Sequence, residues 1–204
     1  KYVDLTVWHE TGDIHEILSQ LDFQPDFIFI NEFRETNSPH ISGLDSLKIP
    51  YGVLLYDLHY QVDIRRQALN EISPPYAFSL YRDKFREWYP SLASQFIWFP
   101  HHINTEVFRD YGLPKDVNWL LMGSVFERLY PLRSMILQTM RGRPGFVYHE
   151  HPGWRTYSEA ERKTAYVGEL YAREINRAKM FFTCGSIYDY TLLKYFEVPA
   201  CNTL

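Results

Sequence analysis

Several features that define common protein classes are scarce in this sequence or missing from it. Only two cysteines occur among 204 residues, so a reduced cytosolic thiol pair is expected in place of a disulfide framework. The chain has 21 Lys and Arg and 25 Asp and Glu. Because basic residues are not in excess, we do not expect a nucleic-acid partner. No apolar run approaches the ~18 to 20 residues of a transmembrane segment, and the first residues show no signal-peptide pattern. We therefore expect a cytoplasmic protein, with the inner membrane surface as the alternative location.

The motifs of metal enzymes and of dehydrogenases are missing as well. There is no CxxC pair, no His-Glu-x-x-His, and no Gly-x-Gly-x-x-Gly after any predicted strand. Two histidine groups, His101 with His102 and His149 with Glu150 and His151, could supply imidazole ligands. Because neither group has the spacing of these motifs, we expect no protein-held metal.

Short apolar runs alternate with amphipathic segments along the chain. With 46% hydrophobic residues, the chain can bury one large core or two modest ones. The runs are typical of strands covered on both faces, and they lie at 26–31, 52–56, 76–80, 95–99, 117–122, 145–149, 179–184 and from 199 onward. Amphipathic segments at 13–21, 61–71 and 82–89 predict helices. This alternation predicts an α/β fold with parallel sheets.

The polar segment 101–116 interrupts this pattern and ends near Gly-Leu-Pro. Such a composition is typical of a connector between domains. We therefore predict an N-terminal domain over residues 1–100 and a C-terminal domain over residues 117–204.

A glycine turn opens the predicted C-terminal domain. Gly123 and Ser124 follow its first strand, and Pro131 is placed to begin a helix. Arg133 then falls in the first helical turn, where a cation opposes the helix dipole unless an anion lies nearby. Arg128, in the preceding loop, could reach the same region. The alternative is that both arginines are ordinary surface charges.

A second small-residue turn lies near the end of the chain. Ser186 and Asp189 fit a Ser-x-x-Asp capping box, so a helix is predicted from about Ile187 to Glu197. Its free N–H groups above Gly185 would form an anion site. Glu197 would lie roughly 12 Å further along the helix axis, a distance that suits a nucleotide sugar. The alternative is that Asp189 only caps the helix and Glu197 is a solvated side chain.

The pattern of Asp189, seven residues, Glu197 and then Val-Pro-Ala-Cys resembles a segment of the second domain of GT-B glycosyltransferases, in particular the spore-maturation and cell-surface type. The resemblance implies that Asp189 contacts the donor sugar and Glu197 the ribose hydroxyls. It departs from the commoner pattern by having Asp where Glu is usual and Asn202 where Gly is frequent. By this resemblance, the residues that bind the donor are Gly123, Ser124, Arg128, Arg133, Gly185, Ser186, Tyr188, Asp189 and Glu197.

The same resemblance implies two doubly wound Rossmann-like domains of the GT-B type, both of them incomplete. The chain would then be an internal portion of a longer enzyme or an abbreviated member of the family. Residues 98–108 resemble the segment where the first domain hands over to the second, so donor and acceptor would meet across a cleft. The implied activity is transfer of a sugar from a nucleoside diphosphate donor to a saccharide or other hydroxyl acceptor, with no cofactor and no protein-held metal. A non-catalytic nucleotide-sugar-binding module and a nucleotide-sugar epimerase are the alternatives.

Candidates for acceptor chemistry follow the second predicted strand. Asp57 and His59 lie beyond its carboxyl end, where ligands bind in doubly wound sheets. Either side chain could take the acceptor proton in an inverting enzyme, or position sugars in a retaining one. The alternative is a structural His beside an Asp that begins the next helix. Glu32 is a weaker candidate by the same positional argument.

Overall fold

The computed structural model describes residues 3–32 and 38–204. The chain falls into two compact units, Lys1–Pro100 and His101–Leu204. Both contain parallel sheets with helices between most of their strands, so the predicted α/β class is confirmed. No helix of the described residues is both long and apolar enough to cross a membrane.

The first unit contains the strands and helices predicted from its apolar runs and amphipathic segments, with ends shifted by a few residues. Its strands are β1 (Gly12–Asp13), β2 (Ile28–Asn31), β3 (Ile41–Ser42), β4 (Tyr51–Leu55), β5 (Tyr76–Ser79) and β6 (Phe96–Trp98). Its α-helices are α1 (Ile14–Ser19), α2 (Val62–Ile72) and α3 (Arg82–Trp88). The pair β1–β3 was not predicted, because two-residue strands leave no periodic signal.

The main sheet of the first unit has the strand order β2-β4-β5-β6, and every neighbouring pair is parallel. All five residues of β4 are buried, as expected for an interior strand. Gly52 is required within it, because the ring of Phe78 lies where a Cβ at Gly52 would be. That ring also contacts Phe29, at 5.6 Å between ring centroids.

The strands of this sheet lie side by side in the order in which they occur in the sequence, from one edge to the other. In the described part of the first unit, the order therefore lacks the reversal that a doubly wound sheet requires, which differs from the prediction. If both crossovers follow the right-handed rule, α2 and α3 lie on the same face of the sheet.

The second unit carries the sheet β8-β7-β9, again parallel. Its strands are β7 (Val117–Met122), β8 (Phe146–His149) and β9 (Ala178–Phe182), and its helices are α4 (Pro131–Met140), α5 (Glu159–Arg162), α6 (Gly168–Arg177) and α7 (Lys194–Ala200). From β7 the chain moves to one side for β8 and then to the other side for β9. This reversal is the topology of a doubly wound sheet.

The core of the second unit joins β7 to α6 and α7. Leu120, Ile175 and Cys201 are fully buried in one apolar cluster. Half-buried side chains from residues 101–116, including Phe108 and Tyr111, pack against the same cluster. The segment predicted as a connector therefore contributes to the packing of the second unit.

The helix predicted over 187–197 is wrong, and α7 begins only at Lys194. Residues 185–190 form a tight turn instead, closed by a 2.6 Å hydrogen bond from the backbone N–H of Tyr190 to the carbonyl of Gly185. Ser186 and Asp189 have left-handed φ values of 64° and 54°. Since a capping box needs helical backbone after its first residue, the predicted box does not form.

The strand predicted from residue 199 is also wrong at its start. Pro199 and Ala200 belong to the last turn of α7. Extended pairing with β9 occurs at Leu204, whose carbonyl accepts from the N–H of Phe181 at 2.6 Å and whose N–H donates to the carbonyl of Lys179 at 3.4 Å. The apolar signal of this segment therefore marks a helix end followed by a residue that pairs with β9.

Candidate anion-binding site

The carboxyl ends of β7 and β9 meet where the strand order reverses. In open α/β sheets the crevice at such a point is the usual ligand site. Gly123 follows β7, Thr183 follows β9, and the side chain of Arg133 spans the space between them. Its Nη1 donates to the carbonyl of Ser124 at 3.3 Å, and its Nη2 donates to the hydroxyl of Thr183 at 3.2 Å. One guanidinium therefore ties the two loops together.

Arg133 reaches this position because α4 begins at Pro131, whose fixed φ suits the first helical residue. The guanidinium carbon lies 4.1 Å from the ring centroid of Tyr130. Arg133 is only 3% exposed, so it is not the surface charge that one interpretation of the sequence allowed. Its Nε is buried and has no hydrogen-bond partner within the described residues. A buried cation at the positive end of a helix is unfavourable unless an anion offsets it.

A second cation, Lys194, approaches the same point from the start of α7. The Nζ of Lys194 lies 3.6 Å, and the Nη1 of Arg133 lies 3.9 Å, from the place that a Cβ at Gly123 would occupy. The Nζ also lies 5.3 Å from the ring centroid of Phe181 in β9. Two cations converging beyond the end of one strand can bind neighbouring oxygens of a phosphate or diphosphate.

Lys194 begins a short chain of hydrogen bonds that leads into the protein. Its Nζ donates to the hydroxyl of Tyr171 at 2.6 Å, and that hydroxyl donates to Oε2 of Glu197 at 3.0 Å. Glu197 is 6% exposed, so it is not the solvated side chain of the alternative interpretation. The carboxylate therefore stabilises the cation through the intervening hydroxyl.

Burial is the largest cause of the pKa shifts of the three hydrogen-bonded residues Lys194, Tyr171 and Glu197. It lowers the pKa of Lys194 to about 8, an effect that the charge of Glu197 opposes and that of Arg133 strengthens. Burial raises the pKa of Glu197 against the opposing influence of Lys194. Burial, followed by the charge of Glu197, holds the pKa of Tyr171 well above its ordinary value. At neutral pH the ammonium is charged and the tyrosine is a neutral donor.

Gly123 gives both cations access to the end of β7. Its φ of +109° lies in a region that residues with a Cβ rarely adopt. A Cβ would also come within 3.4 Å of Cε of Lys194. The backbone N–H of Gly123 pairs with β8, because it donates to the carbonyl of His149 at 3.0 Å. The site therefore needs glycine here for its backbone shape and for the close approach of Lys194.

The loop after β8 borders the site. His149 is held by Glu174 of α6, with 2.9 Å between Nε2 and Oε1, which explains its position without a metal. His151 lies further along the loop. Burial lowers the pKa of His151, and the charges of Lys194 and Arg133 lower it further, so this ring is within electrostatic reach of both cations. Across residues 3–32 and 38–204, no three His, Cys, Asp or Glu side chains are grouped as metal ligands.

Three predicted donor residues, Gly123, Ser124 and Arg133, meet in this cluster. A fourth, Glu197, is connected to it through Tyr171. Arg128 is exposed in the loop before α4, and its predicted contact with the donor stays a prediction.

The remaining predicted donor residues lie in the turn after β9. Gly185 is packed against the turn itself, Ser186 accepts from the backbone N–H of Tyr188 at 3.2 Å, and Asp189 is exposed. Because no helix starts above Gly185, the predicted helix-terminus anion site there is wrong. The turn is nevertheless close to the first glycine loop, since the N–H of Ile187 donates to the carbonyl of Leu129 at 3.0 Å.

Asp57 and His59 lie in the loop that follows β4, at the carboxyl edge of the first unit's sheet. Both side chains are half-buried on either side of the fully buried Leu58. The helix α2 begins at Val62 after Gln61, so the alternative that Asp57 begins the helix is wrong. Their proposed work on an acceptor stays a prediction.

A buried ion pair supports this edge. The Nη2 of Arg65 lies 3.2 Å from Oε1 of Glu32, and both side chains are more than nine-tenths buried. The Nη1 of the same arginine donates to the carbonyl of Asp57 at 2.7 Å. Glu32, at the end of β2, has a left-handed φ of 86°. The first unit therefore places Glu32 and Asp57 at one edge, as their positions after strands predicted.

Lys194, Tyr171 and Thr183 are parts of the cluster that the sequence interpretation missed. Tyr171 belongs to α6, where Ile175 follows Ala172 by three residues and Tyr171 by four, and all three contact one apolar cluster. This spacing is a signal that would have predicted a helix. Lys194 lay inside a helix predicted to start too early, and Thr183 has no motif around it. Comparison of the chain with protein-family models, with curated protein sequences and with solved structures found no match.

Proposed function

We propose that this chain is a glycosyltransferase of the GT-B type, which moves a sugar from a nucleoside diphosphate donor to a hydroxyl acceptor. The observation that supports it is the convergence of Arg133 and Lys194 on Gly123 at the reversal point of a parallel sheet. A diphosphate suits this arrangement because its oxygens can accept from a forked guanidinium and from a compact ammonium together. The resemblance of the segment around Glu197 to GT-B enzymes supports the same ligand.

The two cations would act on the leaving group. When the bond between the anomeric carbon and the diphosphate oxygen breaks, its electron pair stays on the diphosphate, whose negative charge grows. Arg133 and Lys194 are held by fixed hydrogen bonds, so they stabilise that charge without reorganising. We propose that this pair provides the positive charge in place of a protein-held metal.

The acceptor hydroxyl would attack the anomeric carbon and lose its proton to a base. Asp57 and His59 are the candidates for that base if the configuration inverts, or for sugar positioning if it is retained. The support for this part is their place in the loop beyond the carboxyl end of β4.

A second candidate is a nucleotide-sugar-binding module without turnover. One observation favours it: Asp189, expected to touch the donor sugar from a helix, is exposed in a tight turn with left-handed backbone. The two candidates share the diphosphate site and differ only in whether product forms.

The test has a binding arm and a turnover arm. We expect the chain to bind UDP, GDP or dTDP in calorimetry. We expect R133M to weaken that binding by about 10- to 150-fold, the equivalent of ~1.5 to 3 kcal/mol for lost charge-assisted hydrogen bonds. R141M is the matched control, because it removes an exposed arginine from the other end of α4. Equal affinity in R133M and wild type would remove Arg133 from the site.

Turnover is measured as release of the nucleoside diphosphate from sugars of the nucleotide that binds best, in the presence of candidate acceptors and of EDTA. Donor binding with acceptor-dependent release supports the transferase. Donor binding without any release over a broad acceptor panel supports the binding module. We expect D57N and H59A to retain donor affinity and lose release, and normal release in both variants would exclude the acceptor-side assignment.

A further inference from the structure

An almost fully exposed tryptophan lies on the loop that borders the anion site. Trp154 is 95% exposed, and its ring centroid lies 4.7 Å from that of His151. His151 follows His149 by two residues, and the carbonyl of His149 accepts from the N–H of Gly123 at 3.0 Å. The charges of Lys194 and Arg133 act on the same imidazole ring. The exposed indole ring therefore neighbours an imidazole ring on the loop that borders the two cations.

The loop that carries Trp154 is held by its own hydrogen bonds. The hydroxyl of Tyr157 donates to the carbonyls of Pro152 at 2.6 Å and Gly153 at 2.9 Å. The N–H of Gly153 also donates to Nδ1 of His151 at 2.9 Å. An indole held in water by a structured loop forgoes the burial that makes tryptophan favourable in folded proteins. A planar ligand that stacks on it would recover that burial.

We propose that Trp154, backed by His151, is the stacking surface for the base of a nucleotide whose phosphates bind Arg133 and Lys194. This inference rests on the proposed function and adds the residue that distinguishes a nucleotide from a bare diphosphate. Stacking on an aromatic face tolerates every base, so Trp154 contributes affinity for nucleotides as a class. A cationic pocket next to an aromatic platform matches the two chemical halves of a nucleotide.

The experiment compares inorganic pyrophosphate with the tightest-binding of UDP, GDP and dTDP by calorimetry. Wild type is expected to bind the nucleotide more tightly than pyrophosphate. W154A is expected to bind the nucleotide about 5- to 150-fold more weakly, since base stacking on an aromatic side chain contributes ~1 to 3 kcal/mol, with pyrophosphate affinity unchanged. W154F should retain part of the difference. The matched control is W98A, which removes a half-exposed tryptophan of the first unit.

Unchanged pyrophosphate binding also shows that W154A is folded. Equal nucleotide affinity in W154A and wild type would overturn the stacking role. Equal weakening of both ligands would overturn it too, because Trp154 would then shape the anion site. If wild type binds pyrophosphate as tightly as every nucleotide, the stacking surface is refuted and the anion site stands. If wild type binds none of these ligands, the proposed function itself fails and this inference fails with it.

Discussion

The ammonium of Lys194 donates to the hydroxyl of Tyr171 over 2.6 Å, within reach of the guanidinium of Arg133. Two cations held this close repel each other, and Lys194 also interacts with the charge of the buried Glu197. The hydroxyl of Tyr171 also links the two by hydrogen bonds, accepting from Lys194 and donating to Glu197. This arrangement partly neutralises the pair and leaves it with affinity for a further anion.

We predict that anion affinity falls as pH rises through the pKa of Lys194, which burial lowers to about 8. Below this pKa the ammonium is charged and binding is tightest. Above it, affinity for pyrophosphate falls by up to about tenfold per pH unit if only the charged form binds. Calorimetry between pH 7 and 9.5 measures the slope. K194R, whose guanidinium stays charged over this range, is the control, and its profile records the titration of pyrophosphate alone. We expect wild-type affinity to fall relative to K194R as pH rises, and parallel profiles would exclude Lys194 from the site.

Replacing Glu197 separates its two possible contributions. If its carboxylate holds the ribose hydroxyls, E197A weakens nucleoside diphosphate binding by about tenfold or more and affects pyrophosphate less. If it acts only by supporting Lys194 through Tyr171, both ligands weaken equally and Y171F reproduces the loss. We expect the first pattern, measured by calorimetry with both ligands. The second pattern would limit Glu197 to a positioning role.

We expect Gly123→Ala to lower pyrophosphate affinity strongly and to lower the stability of the fold only moderately. The substitution forces a Cβ onto a φ of +109°, at a cost of roughly 1 to 3 kcal/mol, and displaces Lys194. We expect a Tm lowered by several degrees and a loss of pyrophosphate affinity of at least tenfold. Gly112→Ala is the control, because Gly112 has a φ of +64° with open space around it. It carries the backbone strain without touching either cation, so equal affinity losses in both variants would contradict the explanation.

Asn176 should be important for the stability of the second unit. It is fully buried, and its Nδ2 donates to Asp110 at 2.9 Å and to the carbonyl of Cys201 at 2.7 Å, while its Oδ1 accepts from the N–H of Leu113 at 3.1 Å. N176A leaves buried backbone groups unpaired, and we expect a loss of about 2 to 4 kcal/mol in the free energy of unfolding.

Urea denaturation followed by circular dichroism measures that loss. The control is R173A, which removes an exposed i,i+4 ion pair with Glu169 on the same helix and should cost less than 1 kcal/mol. If N176A costs no more than R173A, the three hydrogen bonds of Asn176 contribute little.

Short sequence patterns predicted those parts of the fold that depend mainly on interactions between residues close in sequence. The apolar run 117–122 has the same ends as β7. The run of buried apolar residues stops at Gly123, so the end of the strand is visible in the sequence. Pro131 marks the start of α4 for a similar reason, since its fixed φ acts on its own turn. The capping box of Ser186 and Asp189 failed although its pattern was complete. There, hydrogen bonds from Ile187 to Leu129 and from Tyr190 to Gly185 stabilise a turn that competes with the helix.

The sequence alone determined the α/β class, the positions of most strands and helices, and the glycine turn followed by an arginine in the first turn of the next helix. Those features follow from periodicity and backbone preference over a few residues. Tertiary structure alone decided that β9 pairs with β7, and that Arg133, Lys194 and Thr183 share one crevice. Strand order and side-chain convergence depend on free energies summed over residues about 60 positions apart in the chain, such as Arg177 with Asp116, and no short pattern records that sum.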